Sequence, residues 1–240
     1  MSVAELAGLI RARQPCVVLT GAGVSTESGI PDFRSATGIW AEVDPLEVAS
    51  LRAFARDPER VWSFYRERIH LLRDARPNAA HDAIAELERR GLVQAVVTQN
   101  IDRLHTRAGS ADVVEVHGSI SFAECLGCLW REPADAVLEQ LESAPTPTCP
   151  RCGDVLKPGV VLFGELLPGG ELERATQLAR GARLVLVVGS SLEVWPVAGL
   201  PLEAHAFAIV NRGPTALDEQ ALLKIDGNAS ETLVAVLDQL

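Results

Sequence analysis

Seven short apolar runs, most of them rich in valine, recur along the chain, and nearly every one stops abruptly at glycine or a polar residue. They are CVVLT before Gly21, VQAVVT before Gln99, VVEV before His117, GVVLF before Gly164, LVLVV before Gly189, AFAIV before Asn211 and ALLKI before Asp226. Each is too short for a helix, and a continuous apolar run of this length suits a strand buried on both faces. Helical patterns separate several of them: NAAHDAIAELERRGL with Asn78 as N-cap, GGELERATQLARGA, and the terminal ASETLVAVLDQL. This alternation predicts an α/β fold, a doubly wound Rossmann-like parallel sheet with helices on both sides.

A sheet of that kind binds ligands beyond the carboxyl ends of its strands, where the strand order reverses. The unusual residues of the chain collect at those ends: Gly21-Ala22-Gly23, Gln99-Asn100-Ile101-Asp102, His117-Gly118, Phe163-Gly164-Glu165, Gly189-Ser190-Ser191 and Asn211-Arg212. Turn formation alone accounts for the glycines, serines and asparagines. It accounts less well for His117, Gln99 and Arg34.

Two stretches break the alternation. Residues 35–77 carry helical patterns without a strand, and residues 118–157 carry cysteine pairs and the proline-rich SAPTPTCPRCG. Both are expected to be insertions that together form a small second domain, leaving 1–34, 78–117 and 158–240 as the Rossmann-like domain. A chain of 240 residues has room for one domain with such an addition. The crevice between the two parts is the default binding site.

Of the five cysteines, four form two pairs, Cys125-x2-Cys128 and Cys149-x2-Cys152, separated by 20 residues. This is the spacing of a structural zinc site, in which two tight turns each aim two thiolates at one ion and leave no position for substrate. Two disulfides or four unrelated core cysteines are the competing readings, and a reducing compartment disfavours the first. Cys16 opens an apolar run beside Val17 and Val18, where a thiol behaves as a small hydrophobe.

Charge narrows the partners. A net charge of -10 with no basic run repels a phosphate backbone and argues against nucleic acid. No apolar stretch approaches the ~20 residues of a membrane helix. The opening MSVAELAGLIRARQP reads as an amphipathic helix rather than a signal peptide, whose basic residues would precede a continuous apolar stretch. A cytoplasmic protein is expected.

The segments GAGVSTESGIPDFRS, TQNIDRLH, EVHGS, the two cysteine pairs, KPGVVLFGE, VVGSSLEVWP and IVNRG occur in the order seen in sirtuins, and together cover nearly the whole chain. On these motifs the sequence resembles the sirtuin family, bacterial NAD-dependent protein deacylases included. The resemblance implies NAD as co-substrate, one structural zinc, and acyl-lysine proteins or peptides as partners. The implied reaction is attack of the acyl-lysine carbonyl oxygen on the nicotinamide ribose, release of nicotinamide, and transfer of the acyl group to ADP-ribose. Trailing alternatives are an NAD-dependent oxidoreductase, an ADP-ribosyltransferase and a non-catalytic NAD-binding module.

Residue by residue, the resemblance implies His117 as general base with Asn100 as its catalytic companion. It assigns Gly21 and Gly23 to the backbone approach to the cofactor's pyrophosphate, Ala22 and Glu27 to cofactor binding beside them, and Asp32, Phe33, Arg34 and Trp40 to a lid over its nicotinamide side. Gln99, Asn100, Ile101 and Asp102 meet the carboxamide and ribose. Gly189, Ser190 and Ser191 meet phosphate and ribose, Asn211 and Arg212 the adenosine ribose, and Ala229 the adenine edge. The substrate strand is expected at Val160, Val161 and Phe163, where an extended peptide would pair by backbone hydrogen bonds.

Tyr65 and Arg68 are one helical step apart on VWSFYRERIHLL. Their spacing resembles the sirtuin branch that removes succinyl and malonyl groups, whose phenol and guanidinium hold a carboxylate at the acyl tip. That branch carries Thr where this chain has Asp32. The other reading leaves Tyr65 in the core and Arg68 on a solvated edge. His70, His81, His105 and His205 are assigned no chemistry.

Overall fold

The structure is a computed structural model that describes residues 2–240. Six strands form the main sheet: β1 (Cys16–Thr20), β2 (Ala95–Thr98), β3 (Val113–Glu115), β7 (Leu184–Val188), β8 (Phe207–Val210) and β9 (Leu223–Ile225), in the order β3-β2-β1-β7-β8-β9. Every neighbouring pair is parallel. Chain order runs outward in both directions from the β1–β7 pair, so the topological switch point lies between these two central strands.

Side-chain alternation divides the core into two layers. Val18, Val96, Leu186 and Val210 face α1 (Val3–Ala12), α6 (Ala79–Arg89) and α11 (Ala229–Leu237), packing against Leu6, Ile84, Leu87 and Leu233. Val17, Leu19, Val185 and Val187 face the other way, onto Ala175 and Ala179 of α9 (Gly169–Gly181) and Leu200 of α10 (Leu200–Glu203). Burial on both faces explains why the runs are apolar throughout. Helix α1 begins with a capping box between Ser2 and Glu5, and Asn78 caps α6 as its sequence predicts.

The run GVVLF departs from expectation. Its strand, β6 (Lys157–Val160), leaves the parallel sheet and pairs antiparallel with β4 (Gly118–Glu124), which also carries β5 (Arg131–Pro133). Gly118, at a φ of +75°, faces Gly159 so closely that a Cβ would meet the Gly159 carbonyl oxygen. Val160 and Leu162 of GVVLF are buried in the helical core against this small sheet while Val161 is only half-buried, and a short apolar run cannot distinguish the two settings.

A third core lies under the small sheet. Helices α2 (Ile39–Glu42), α3 (Pro45–Val48), α4 (Leu51–Arg56) and α5 (Pro58–Asp74) precede α6, and α8 (Ala134–Leu141) comes after β5. Trp62, Tyr65, Ile69 and Leu72 of α5 pack with Ile120, Ala123, Val137, Leu141 and Leu156. The Trp62 indole donates to the Leu156 carbonyl at 2.7 Å, tying α5 to the chain beyond the cysteine knuckles.

The knuckles close this lobe. The four sulfurs of Cys125, Cys128, Cys149 and Cys152 lie within 4.8 Å of one another. Nearest separations are 3.4 Å for Cys125–Cys152 and 3.5 Å for Cys128–Cys149. All are free thiols, and a disulfide would need about 2.05 Å. Tetrahedral ligands about 2.3 Å from one zinc stand roughly 3.8 Å apart, so the set fits one structural zinc. Cys16 is fully buried in β1, and burial pushes its thiol up to about 12. Among the described residues, no helix is long and apolar enough to cross a membrane.

Metal removal tests the knuckles. The protein is expected to hold one zinc per chain, and a chelator under mild denaturant to release it. Near-ultraviolet dichroism from Trp130, on which Arg151 stacks at 4.1 Å, should then collapse while the helical far-ultraviolet signal largely persists. Protein purified without zinc and equally ordered would contradict this assignment.

Candidate active site

The turns leaving β1 and β7 touch. The Gly23 amide donates to the Gly189 carbonyl at 2.8 Å, and the Gly21 amide to Val188 at 3.2 Å. A Cβ on Gly21 or Gly23 would stand 2.9 or 2.8 Å from the Gly189 oxygen, so contact between the two turns itself requires these glycines. From Gly21 the chain enters a 3-10 helix, Ala22–Ser28, that no side chain caps. Among the described residues the Ala22 amide has no partner, leaving a donor at the crevice for an anionic oxygen.

These turns form the floor of a cleft of about 1530 Å³ between the main sheet and the smaller lobe. Gly21, Ala22, Gly23, Glu27, Asp32, Phe33, Arg34, Trp40, Gln99, Asn100, Ile101 and His117 line it together. So do Gly189, Ser190, Ser191, Asn211, Arg212, Ala229, Tyr65, Arg68, Val160, Val161 and Phe163. A space of this size suits a dinucleotide together with a side chain from a second substrate. Glu27 accepts from Asn228, which also caps α11 through the Glu231 amide, so Glu27 and Ala229 meet at one rim.

Asp102 is the exception among the sequence-selected cleft residues. It stands behind the wall with both carboxylate oxygens used, one by the amide of Leu104 at 2.8 Å, where α7 (Leu104–Ala108) begins, and the other by the Ser25 hydroxyl at 2.7 Å. Asn100, in front of it, donates to Ser25 at 3.1 Å and to the Gly21 carbonyl at 3.1 Å. Its amide oxygen faces the cleft side of this arrangement with no intramolecular donor among the described residues. Behind them lies a polar cluster: Thr20 meets Thr98 at 2.8 Å and His105 at 2.9 Å, and the His81 and His105 rings stand 4.8 Å apart. Burial drives the His105 imidazolium down to about 3, so both rings serve as neutral packing and hydrogen-bonding groups.

Sequence reasoning missed Ser25, the junction between Asn100 and Asp102. Its setting in GVSTES looks like an ordinary turn, and only tertiary contact reveals the link.

His117 comes after β3 and sits at the junction of the two lobes. Its Nδ1 lies 3.1 Å from the Gln99 carbonyl. A carbonyl only accepts, so Nδ1 carries the proton and Nε2 is left bare on the cleft side. Burial holds the imidazole below its ordinary value; the Gln99 carbonyl opposes this and the Arg34 charge adds to it. The result is a neutral base at physiological pH.

The cleft loop from Asp32 to Trp40 is organised by its own turn. Asp32 Oδ1 accepts from the amides of Arg34 at 3.0 Å and Ser35 at 2.8 Å. Phe33 stacks on Trp40 at 5.1 Å, and Trp40 on Phe64 at 6.0 Å, so aromatic packing carries this loop across to α5. Arg34 reaches Glu193 at 3.4 Å, and Glu193 accepts from Ser191 at 3.2 Å. Asn211 closes a turn onto the carbonyls of Arg212 and Gly213. Gln99 donates to Ser190 at 2.9 Å.

Arg68 is not a solvated edge. Its guanidinium lies 3.4 Å over the Phe64 ring, Nη1 donates to the Phe64 carbonyl at 3.1 Å, and Nε is buried without a partner among the described residues. Tyr65 beside it is buried, which raises its phenol. On the facing wall the Val161 amide donates to the His117 carbonyl at 2.9 Å. Phe163 does not present a free edge: its amide and carbonyl pair with Ala49 and Leu51.

Comparison with known proteins agrees with this arrangement. The model of the Sir2 family matches residues 21–196. An NAD-dependent protein deacylase of Thermus thermophilus is 46% identical over 228 residues, covering 92% of this chain and 88% of its own. An NAD-dependent protein deacetylase of Caldivirga maquilingensis is 44% identical over 241 residues, covering 98% and 93%. A solved Sir2 complex with a p53 peptide and NAD+ superposes with a TM-score of 0.92 at 40% identity, covering 100% of this chain and 98% of that one. A Sir2 chain bound to a propionylated peptide gives 0.91 at 40% identity, with the same coverage. A switch-point crevice with a bare histidine nitrogen, a thiol set fitted to zinc and these matches lead to one conclusion: the chain belongs to the Sir2 family.

Proposed function

We propose that the protein is an NAD-dependent protein-lysine deacylase that moves the acyl group of a modified lysine to ADP-ribose. The observation that carries this reading is His117 Nε2, unprotonated and facing the cleft where the Gly21–Gly23 turn, Asn100 and the Val161 segment converge. When bound, NAD supplies the electrophilic ribose carbon and nicotinamide as leaving group. The Ala22 amide and Ser190 and Ser191 suit its phosphates and ribose, and Asn100, whose N–H groups are engaged by Ser25 and Gly21, suits the carboxamide by accepting from it through the free amide oxygen. His117 takes a proton from a ribose hydroxyl. The aromatic lid from Phe33 to Trp40 keeps water from the reacting carbon. Four free thiols fit a reducing compartment, supporting a cytoplasmic location.

The acyl group proposed is one with a terminal carboxylate, succinyl or malonyl, alongside simpler chains. A half-buried guanidinium with an unpartnered Nε beside a buried phenol is costly unless an anion completes it. A carboxylate at the acyl tip meets both groups by charge-assisted hydrogen bonds.

Kinetics of two variants test the base and the acyl pocket separately. His117→Ala should retain NAD binding and lose roughly 100- to 10,000-fold in turnover. In the wild type the acid limb of kcat/KM should fall with an apparent pKa below the ordinary histidine value of about 6.5, because a base lowered by burial stays neutral until the pH passes beneath that value. Undiminished His117→Ala turnover would remove the assignment. With acetyl-, succinyl- and malonyl-lysine versions of one peptide, Arg68→Met should cost roughly 10- to 100-fold on the acidic acyl groups while sparing acetyl. Equal effects on all three would remove the carboxylate reading.

A further inference from the structure

Only two of the chain's 22 basic side chains are lysines, and one of them, Lys157, is buried. Its ammonium is surrounded by four oxygens: Val160 O at 2.8 Å, Pro158 O at 3.0 Å, Glu124 Oε1 at 3.1 Å and Glu165 Oε2 at 3.2 Å. Glu124 lies on β4, and Arg131 approaches it at 3.9 Å, so two cations face two carboxylates. A compact ammonium suits this convergent set; a planar guanidinium fork does not.

The ion pair shapes a segment that regular structure does not. Past Val160 the chain leaves β6, and outside regular strands its next residues are tied down by the Val161 amide on the His117 carbonyl and by an isolated bridge between Ser50 and Phe163. Glu165 folds back by a turn at Gly164, whose φ of +85° favours glycine. Its Oε2 accepts the Leu162 amide at 3.0 Å while its own amide donates to the Leu162 carbonyl at 2.9 Å. Lys157 and Glu165 together thus hold Pro158, Val160 and Leu162 by their backbones. Among the described residues, this leaves the Val161 carbonyl and the Gly164 amide unpaired, both on a segment that lines the cleft.

We propose that Lys157, acting through Glu165, is a positioning residue that sets the 158–165 segment in the shape that receives the acylated peptide. The inference rests on the deacylase reading and assigns the pair a role in peptide capture that does not extend to NAD. The segment's unpaired backbone groups receive the peptide's own amides and carbonyls. A buried ion pair that served stability alone would affect both substrates alike.

The test compares wild type, Glu165→Gln and Lys157→Met with one labelled acyl-lysine peptide. Peptide affinity is read by anisotropy, kinetics with each substrate varied in turn, and folding by melting temperature. Glu165→Gln keeps an oxygen for the Leu162 amide and removes the charge that holds Lys157, so it carries the test if Lys157→Met does not fold. The expected result is peptide Kd and KM raised at least roughly tenfold, with NAD KM and kcat unchanged. Unchanged peptide binding in Glu165→Gln, or peptide and NAD constants rising together with a falling Tm, would overturn the proposal. Anisotropy needs no turnover, so a wild type that binds peptide without deacylating it would sink the functional reading alone.

Discussion

The contact between the turns leaving β1 and β7 is the constraint on which the rest depends. Parallel strands deliver their carboxyl ends to one edge, and the reversal of strand order between this pair opens a crevice there. Gly23 and Gly189 meet across it at hydrogen-bond distance, with no room for a Cβ on Gly21 or Gly23. The glycines therefore serve protein contact first. By keeping side chains out of the crevice floor, that contact also leaves the Ala22 amide open to a ligand.

The other wall must be held in register by different means, because the second lobe shares no sheet with the first. Three devices fix its shape beside its apolar core: the cysteine set fitted to zinc, the Trp62 bond to the Leu156 carbonyl, and the buried Lys157 among its oxygens. His117 stands where the walls join, its ring bonded to Gln99 after β2 and its carbonyl to Val161 after β6. The imidazole is thereby positioned by both lobes.

Much of this was legible in the sequence, for identifiable reasons. Runs buried on both faces betray themselves by continuous apolar character, so the strands of the parallel sheet stand out. The cysteine pairs carry their geometry in their spacing. Residues that end strands, such as His117 and Asn100, fall at the rim by topology alone. GVVLF misled because burial under helices looks the same in either sheet. Ser25, and Asp102's place behind the wall, stayed hidden because a hydroxyl in a turn has no pattern until the fold brings a carboxylate to it. Lys157 and Glu165 were equally silent, since their pairing depends on a loop doubling back at Gly164.

The central claim is that one cleft couples removal of nicotinamide to removal of an acyl group, and a single reaction mixture tests it most directly. The protein is incubated with NAD and an acyl-lysine peptide, and released nicotinamide and deacylated peptide are counted together. The account predicts equal amounts of the two, no reduced cofactor absorbing in the near ultraviolet, and no ADP-ribose left on protein. Reduced cofactor, a labelled protein acceptor, or deacylation without nicotinamide would contradict it.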